Sequence, residues 1–415
     1  ICTYLSEVLI IKLINKFLKI FKYQSNYSWN VFHFLAKRGF KNAINLLFNE
    51  NINVNINAVT YKGYTPLMIA IKFKQIHIVK TFINKMIKTK CILNNNVILC
   101  AIDNELPIKY IKYMIDNCKT RDDILYDVLI NNKGNKMNNI IKYLINVDIG
   151  LNYKNSHNRN MLHIACKKAS NEIIIMLAQK NPSFINKKDQ NEFTPWMVAL
   201  RNKKFGAFMY MEKDIDLNLK NNKNTSLIHF LAISGNYNVF AYMVDKYNLD
   251  TNKKNKLNLT PLHYALQTKC QKMNEILINK SNNLDFADGK GRYIIHYILK
   301  HQHNYPNIIK LAFSKINNFQ IKYKDIYPIH YAAKYNKAEI IRLLIDKNID
   351  LEVENKKKQK PIHLLCKHSN DEILIKYLID IKHVDIESSD EFGFRPIHYI
   401  CNKGSIDLIK FILSK

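Results

Sequence analysis

The sequence Asp325-Ile-Tyr-Pro-Ile-His-Tyr-Ala-Ala-Lys334, followed by Ala338-Glu-Ile-Ile-Arg-Leu-Leu-Ile345, recurs in varied form through most of the chain. Its histidine returns at the same place in eight copies, and Met68 and Met197 occupy that place in two more. The eight are His33, His163, His229, His263, His296, His330, His363 and His398. From residue 163 onward the copies lie 32 to 35 residues apart. This period indicates one supersecondary unit stacked many times.

Each copy carries signals for a turn and a helix start. Three residues before the histidine position, Thr65, Thr194 and Thr260 precede a proline, so a hydroxyl can cap the helix and the proline can fill its first position. Asn30, Asn160 and Ser226 can cap in the same way. Five residues before the histidine position, glycine or asparagine predicts a turn with positive φ. These residues are Gly63, Gly291, Gly393, Asn158, Asn224 and Asn258.

Two further repeats are expected where the pattern fades. Met68 and His163 lie 95 residues apart, close to three periods. We expect degenerate first helices near residues 97–101 and 124–128, with second helices near 108–114 and 140–144, because their apolar residues have helical spacing. The sequence therefore predicts about twelve repeats, of which ten are readable.

The stretches Gly63–Ala70 (Gly-Tyr-Thr-Pro-Leu-Met-Ile-Ala) and Leu259–Ala265 (Leu-Thr-Pro-Leu-His-Tyr-Ala) resemble the ankyrin repeat. The resemblance covers nearly everything after Tyr27. It implies an all-α repeat solenoid of stacked helix-turn-helix units with β-turn or hairpin-like fingers. It also implies that the histidine bonds the backbone and the threonine hydroxyl at the helix start, as at His263 with Thr260. Where the hydroxyl is missing, as at His330, only the backbone part transfers.

The chain is predicted to divide into an N-terminal amphipathic capping helix, residues 1–27, and a repeat array, residues 28–415, with the degenerate repeats at about 91–150. Apolar residues fill most of Leu5–Tyr23, and Lys12, Lys16 and Lys19 share one stripe at helical spacing. We expect this helix to cover the first repeat, since stacked repeats need protected ends. A helix lying on an anionic membrane surface is the alternative.

The charge of the chain favours acidic partners. Sixty-three Lys and Arg against 34 Asp and Glu give a formal net charge of +29, which suits an acidic protein, nucleic acid or an anionic membrane surface. Compositional drift of the genome is an equal explanation. The eight cysteines form no Cys-x-x-Cys pair, which favours a reducing, intracellular setting. We expect a soluble monomer in the cytoplasm, with the nucleus as the alternative compartment.

The histidine series invites a catalytic or metal-binding interpretation. His163 with Cys166, His363 with Cys366 and His398 with Cys401 have a spacing that zinc could use, but zinc needs about four ligands at one point and the next pair is a repeat away. Core packing is the preferred interpretation, with buried cysteines at a small-residue position. His301 and His303 form a second, weaker metal candidate. The sequence contains no phosphate-binding loop, nucleophile elbow or zincin helix. We therefore expect no enzyme activity, cofactor, metal or small-molecule substrate.

The predicted binding site lies four and five residues after the histidine position. Among the ten readable repeats, ten of these twenty residues are Lys or Arg and none is acidic, where random placement gives about three. Cations also suit the last turn of a helix, which is the alternative explanation. The candidate partner-binding residues are Lys37, Arg38, Lys72, Lys167, Lys168, Arg201, Lys300, Lys334, Tyr335, Lys367 and Lys403. Turn-tip aromatic residues beside Arg159, Arg292 and Lys357 are expected to add binding energy.

The predicted function is a non-enzymatic scaffold that binds an acidic protein partner through a basic concave surface. Binding of nucleic acid or an anionic membrane surface through the same face is the first alternative. No nucleic-acid recognition module supports that alternative. The second is a regulatory ankyrin part of a longer protein, such as a palmitoyl transferase, although no Asp-His-His-Cys tetrad lies in this chain.

Overall fold

Two compact units make up the chain in a computed structural model. Unit 1 comprises Ile1–Gln190, Thr194–Ala199 and Gly206–Ile215, and unit 2 comprises Asn191–Phe193, Leu200–Phe205 and Asp216–Lys415. The structure describes residues 6–16, 25, 27–49, 55–89, 95–117, 122–132, 137–281, 283–301, 305–335, 337–369 and 371–415.

The described residues form twenty-five α-helices, of which α2 to α25 make twelve consecutive pairs. The first thirteen are α1 (Glu7–Lys16), α2 (Val31–Arg38), α3 (Lys41–Asn49), α4 (Pro66–Lys72), α5 (Ile76–Lys88), α6 (Asn95–Asp103), α7 (Ile108–Asn117), α8 (Ile124–Asn131), α9 (Asn138–Asn146), α10 (Met161–Lys168), α11 (Asn171–Lys180), α12 (Pro195–Arg201) and α13 (Phe205–Met211). The rest are α14 (Leu227–Ser234), α15 (Tyr237–Tyr247), α16 (Pro261–Ala265), α17 (Gln271–Asn279), α18 (Ile294–His301), α19 (Pro306–Phe313), α20 (Pro328–Lys334), α21 (Ala338–Ile345), α22 (Pro361–His368), α23 (Glu372–Asp380), α24 (Pro396–Lys403) and α25 (Ile406–Leu413). Short 3₁₀ helices follow α11 (Pro182–Phe184) and α13 (Glu212–Asp214).

The core is a stack of first helices beside a stack of second helices. In unit 1, α2 packs against α4 and α3 against α5; in unit 2, α20 packs against α22 and α19 against α21. The second helix bends back onto the first, as α21 does on α20, and its apolar residues Ile340, Ile341 and Leu344 are buried. The predicted degenerate repeats are confirmed as α6 with α7 and α8 with α9. The predicted helical repeat solenoid is therefore correct.

In all ten readable repeats, the turn that precedes the first helix contains a residue in the left-handed region at the same place. The residue five before the histidine position has a positive φ, as predicted for the glycines and asparagines, for example 76° at Gly63 and 56° at Asn224. Four residues of other types share this conformation, although they have no glycine-like freedom. They are Ser28, Glu192, Asp325 and Lys358, with φ of 59°, 59°, 58° and 49°. The architecture imposes the turn where the local sequence does not favour it.

A side-chain oxygen stabilises eight of these turns and was not predicted from the sequence. Eight residues before the histidine position, Asn255 Oδ1 accepts the backbone N–H groups of Leu257 and Leu259 at 2.8 and 3.0 Å. The equivalent oxygens that accept the N–H four residues later belong to Ser25, Thr60, Asn155, Asn221, Asp288, Asn355 and Asp390. The signal was present as a recurring Asn or Asp at a fixed offset, which is the residue type that favours such turns.

Backbone hydrogen bonds join successive turns within each unit. Tyr61 N–H donates to the carbonyl of Tyr27 at 3.3 Å in unit 1, and Gly289 N–H donates to that of Leu257 at 2.7 Å in unit 2. Pairs that follow the same pattern are Gln190 with His157, Asn222 with Asn191, Lys256 with Lys223, and Glu391 with Lys357. The described residues contain only isolated bridges and no named strand, so the fingers are turns and not a sheet.

The signature histidines connect one repeat to the next. His330 Nδ1 accepts the N–H of Tyr327 at 3.1 Å, and its Nε2 lies 3.0 Å from the carbonyl oxygen of Gln359 in the following repeat. An N–H must donate to that carbonyl, so the ring is neutral with its proton on Nε2. The same two-sided contact is made by His33 with Tyr64, His229 with Leu259, and His363 with Ser388.

The predicted role of His263 is confirmed, because both the hydroxyl and the N–H of Thr260 lie 3.0 Å from its Nδ1. Where the hydroxyl is missing, Nδ1 accepts the backbone N–H alone, as expected: His363 accepts that of Lys360, and His398 that of Arg395. The link from Nε2 to the next repeat was not predicted. It requires a carbonyl about thirty residues away, which sequence periodicity does not reveal.

Acidification should destabilise unit 2 through these histidines. Burial lowers the pKa of His229, His263, His296 and His330 to about 4, whereas the unfolded chain titrates near 6.5. The unfolded state therefore binds more protons between these values, and the free energy of unfolding falls as pH drops from about 6.5 towards 4, by about 1.4 kcal/mol per histidine and pKa unit. Urea unfolding at pH 7.5 and 5.0 measures this loss.

In the same measurement, His229→Gln with His330→Gln should make the unfolding midpoint less dependent on pH, because an amide keeps a donor but does not titrate in this range. Equal midpoints of the parent protein at the two pH values would show that the histidines do not control acid stability.

The described part of the N-terminal segment is a helix on the first repeat. α1 packs against α3, with Ile10 and Ile14 fully buried. Glu7 Oε1 accepts the N–H groups of Asn42 and Ala43 at 2.8 and 3.2 Å, at the start of α3, where a carboxylate stabilises the helix. The predicted helix extended over Leu5–Tyr23; Leu5 and residues 17–24 lie outside the described residues.

Removing residues 1–27 should lower the stability of unit 1, because α3 loses its apolar cover and its capping carboxylate. The sharper variant is Ile10→Ser with Ile14→Ser, which should cost a few kcal/mol as buried aliphatic groups are lost. The matched control is Val8→Ser with Leu9→Ser, since those side chains are 63% and 48% exposed. Thermal unfolding and gel filtration provide the readouts. A truncated protein as stable and monomeric as the parent would contradict a capping role.

Candidate functional site

All ten predicted cations lie in the last turn of a first helix, and all ten are exposed. Unit 1 carries Lys37, Arg38, Lys72, Lys167 and Lys168, and unit 2 carries Arg201, Lys300, Lys334, Lys367 and Lys403. Tyr335, the predicted aromatic member, is half-buried. The cations recur at equivalent positions because each first helix ends just before the turn into the second helix. A side chain at that point lies at the edge of the stack and is excluded from the core.

In unit 1 the first two repeats hold cations over aromatic rings. Lys37 Nζ lies 5.4 Å from the ring centre of Phe73 in the next repeat and 5.9 Å from that of Trp29. Lys72 Nζ lies 4.9 Å from the ring of Tyr64. Such contacts are worth about 0.5–1 kcal/mol at exposed sites and leave the positive charge uncompensated.

The degenerate repeats interrupt the cations of unit 1. α6 ends at the exposed Asp103 and α8 at the uncharged Asn131. Burial and then the carboxylate of Asp103 raise the pKa of the Cys100 thiol to about 11, against an opposing effect of Lys72. Asp103 and Lys72 therefore lie near one another, and the positive surface of the first two repeats does not continue through the third.

Unit 2 brings three of its predicted cations around one histidine. Burial, and then the positive charges of Lys367, Lys403 and Lys334, lower the pKa of His368. These four residues end α20, α22 and α24, and we call them the basic cluster. Lys367 Nζ lies 5.4 Å from the ring of Tyr399, and Lys403 Nζ donates to the carbonyl of Ser369.

Among the described residues, Lys334 and Lys367 have no carboxylate within 4.0 Å. Their charge is available to a ligand.

The neighbouring repeats of unit 2 do not extend the basic cluster evenly. The corresponding positions on α14 are Ile233 and the buried Ser234, and those after α16 are Gln267 and Thr268. At these positions Arg201 is therefore separated from Lys300 by two uncharged repeats, whereas Lys300 lies in the repeat directly before that of Lys334.

Two cations of the predicted turn tips have structural partners. Arg159 Nε donates to the buried Asp189 at 2.9 Å, and Arg292 binds the buried Asp288 through Nε and Nη2 at 2.8 and 2.7 Å. These ion pairs serve the fold, because a buried carboxylate needs its cation. The exposed turn-tip rings are Tyr61, Phe392 and Phe394.

The described residues contain no group of three or more His, Cys, Asp and Glu side chains that could hold a metal ion. Burial raises the pKa of Cys366 to about 12, so this thiol stays protonated and is a poor nucleophile or ligand. Cys166 and Cys366 are buried as expected, but Cys401 and the neighbouring His398 are exposed. α24 packs against α22 on one side, and the described residues do not cover these two. His303 of the weaker metal candidate lies outside the described residues.

A set of lysines on the second helices was not predicted as a binding surface, because the sequence pattern pointed only to the first helices. Lys41, Lys80 and Lys88 line a groove between α3 and α5. Their helical spacing on α5 was visible in the sequence, but the facing residue on α3 was not.

No described helix has both the length and the apolar character that a membrane-spanning segment needs.

A family model described as ankyrin repeats in three copies matches residues 8–95, 129–221, 196–288 and 329–415. The chain is 32% identical over 108 residues to a protein of Rickettsia bellii (strain RML369-C) named for its ankyrin repeats, covering 25% of this chain and 41% of that protein. It is 26% identical over 213 residues to the ankyrin repeat protein OPG189 of Variola virus, covering 48% of this chain and 38% of the viral protein. The chain thus spans less than half the length of these curated relatives.

The crystal structure of the human ASB11 ankyrin repeat domain is similar to 52% of this chain and covers 96% of that domain, with a TM-score of 0.44 and 17% sequence identity. The family model alone covers more than half of the 415 residues, and the repeats that it matches are the helix pairs described above. This chain belongs to the ankyrin repeat family.

Proposed function

We propose that this chain is a non-enzymatic scaffold that binds an acidic segment of a protein partner through the ends of its first helices. Ankyrin repeats generally serve as protein-interaction scaffolds. The finer proposal concerns the chemistry of the partner, and it rests on charge. One observation carries it: the basic cluster of unit 2 gathers three lysines beside His368, two of them without a carboxylate within 4.0 Å in the described part of the chain.

The arrangement of charge supports binding and not merely helix stabilisation. A single lysine in a last turn gains a few tenths of a kcal/mol from the helix dipole, and that gain does not require lysines of different repeats to lie together. Like charges placed together repel, and the depressed pKa of His368 reflects this repulsion after the effect of burial. An acidic ligand relieves the repulsion, so the cluster is better suited to a bound complex than to the chain alone.

The binding energy must come from several contacts. One exposed lysine–carboxylate pair contributes about 0.2–1 kcal/mol, which is too little for specific capture. The cluster adds the partly exposed rings of Tyr335 and Tyr399 beside Lys334 and Lys367. Aromatic surface next to cations increases the affinity for a segment that combines carboxylates with apolar side chains.

Lys334→Glu with Lys367→Glu should abolish capture of the partner and leave the fold intact, because two attractive contacts become repulsive while the core is untouched. The matched control is Lys310→Glu with Lys382→Glu, exposed lysines of the same unit outside the cluster. Lys167→Glu with Lys168→Glu tests unit 1 in the same way. The measurement is quantitative mass spectrometry of proteins retained by each variant from the native cell, with circular dichroism as the folding control.

Three results would count against this function. Retention of the same proteins by the cluster variant and the parent would show that the cluster is not the binding site. Loss of capture after nuclease treatment, with a steep and uniform dependence on salt, would identify nucleic acid as the ligand. Sedimentation with anionic vesicles that the cluster variant abolishes would identify a membrane surface.

A further inference from the structure

A groove of about 910 Å³ lies in unit 1 between α3 and α5, the second helices of the first two repeats. Lys80, Asn84 and Lys88 line it from α5, and Lys41, Asn45 and Asn49 line it from α3. The lining residues of α5 run from Ile76 to Lys88, or about 18 Å at the helical rise of about 1.5 Å per residue. This surface belongs to the second helices and contains none of the residues of the proposed first-helix site.

The groove is positively charged. Lys41, Lys80, Lys85 and Lys88 line it, and none of the described lining residues is Asp or Glu. Lys41, Lys80 and Lys88 are exposed and, among the described residues, none has a carboxylate within 4.0 Å. Lys80 Nζ lies 5.5 Å from the ring of Tyr110 on α7, a contact that keeps its charge uncompensated. The fold therefore holds three uncompensated ammonium groups along one groove.

The floor of the groove is already closed. Lys85 Nζ lies 5.1 Å from the ring of Phe48 and donates to its carbonyl at 3.3 Å. This lysine thereby joins α5 to α3 and covers the aromatic ring of the lining. A ligand meets a floor of polar and aliphatic groups with lysines around it, and the imidazole of His77 is the exposed ring among the described lining residues.

Amide side chains complete the lining. Asn45, Asn49 and Asn84 each carry a donor and an acceptor. Asn84 Oδ1 accepts the hydroxyl of Tyr113 at 3.2 Å, which directs one end of the amide towards α7. Amide groups pair with the N–H and C=O groups of a peptide backbone, whereas a phosphate offers acceptors alone. Lysines with amides between them thus match a peptide that carries carboxylates.

The length of the groove suits a short ligand. Carboxylates lie on both neighbouring elements, Glu7 on α1 beside α3 and Asp116 on α7 beside α5, where Asp116 accepts the hydroxyl of Tyr143. About five residues of extended peptide, at about 3.3 Å each, span the positive stretch.

We infer that the groove between α3 and α5 is a second binding site of this chain and takes a short acidic peptide segment of a protein partner. Its lysines attract the carboxylates, its asparagines pair with the backbone, and its extent along α5 suits about five residues of extended peptide. A scaffold with this groove and the basic cluster holds two acidic segments at once.

The test uses the full chain and a fluorescein-labelled peptide of eight glutamates. Fluorescence anisotropy measures its affinity, and hydrogen–deuterium exchange locates it by protection of α3 and α5. Lys80→Gln with Lys88→Gln should weaken binding at this site, and Lys80→Glu with Lys88→Glu should weaken it by about tenfold or more, because exposed ion pairs add in this range. The matched control, Lys62→Glu with Lys109→Glu, changes the charge of unit 1 equally outside the groove.

The expected result is protection of α3 and α5 that the groove variants remove and the control retains. Peptide binding without protection of α3 and α5, or equal protection in the parent and the charge-reversed variant, would overturn the inference. So would protection of this groove by a twelve-nucleotide single strand or by phosphatidylserine vesicles at concentrations where the peptide gives none.

The Lys334→Glu, Lys367→Glu variant separates this site from the proposed function. If the basic cluster is not a binding site but the groove is, this variant keeps its protection of α3 and α5 and captures the same partner. If the groove is not a site, the cluster variant still loses its partner while α3 and α5 remain unprotected in every protein.

Discussion

A neutral imidazole ring, hydrogen-bonded on both sides, connects four repeats of this chain to the repeat that follows. Its Nδ1 accepts the N–H of the residue that precedes its own helix, and its Nε2 donates to the turn of the following repeat, as His330 does between Tyr327 and Gln359. The ring must stay uncharged to do both, and burial ensures this by lowering its pKa. Neighbouring repeats are thereby placed in register before any surface side chain contributes. The helix ends and the groove between second helices can face a ligand because this buried contact sets their spacing.

The division of charge follows from the same construction. Two carboxylates of the turns are buried and form ion pairs, Asp189 with Arg159 and Asp288 with Arg292. Many of the remaining cations lie where the stack ends, at the last turns of first helices and along the outer side of α5. The excess positive charge of the chain is thus concentrated on surfaces that packing does not need. Charge reversal at Lys334 or Lys80 is therefore expected to leave the fold intact.

Much of the architecture could be predicted, because the same helix and turn signals recur in many repeats of the sequence. The helix pairs followed from periodicity, even in the degenerate repeats around α6 and α8, and the positive φ of Gly63 or Asn224 followed from residue type. The positive φ of Glu192 and Lys358 did not, because the neighbouring repeats impose it. The ion pair of Arg292 with Asp288 could not be predicted, because burial of Asp288 is a property of the packed state. The groove beside Lys88 was missed because a concave surface between two repeats has no signature within either one.

The finger turns have a consequence for how such a chain changes over time. Most turns are fixed by a backbone hydrogen bond to a neighbouring turn and by a single oxygen eight residues before the histidine position, as at Asn255. The side chains six residues before the histidine position take part in neither contact, as the different residues Leu257, Lys290 and Phe392 illustrate. Selection can therefore exchange the tips one at a time with little cost to folding. The backbone of the repeat stays constant while a few tip side chains vary. A lineage can therefore acquire a new partner without first passing through an unstable protein.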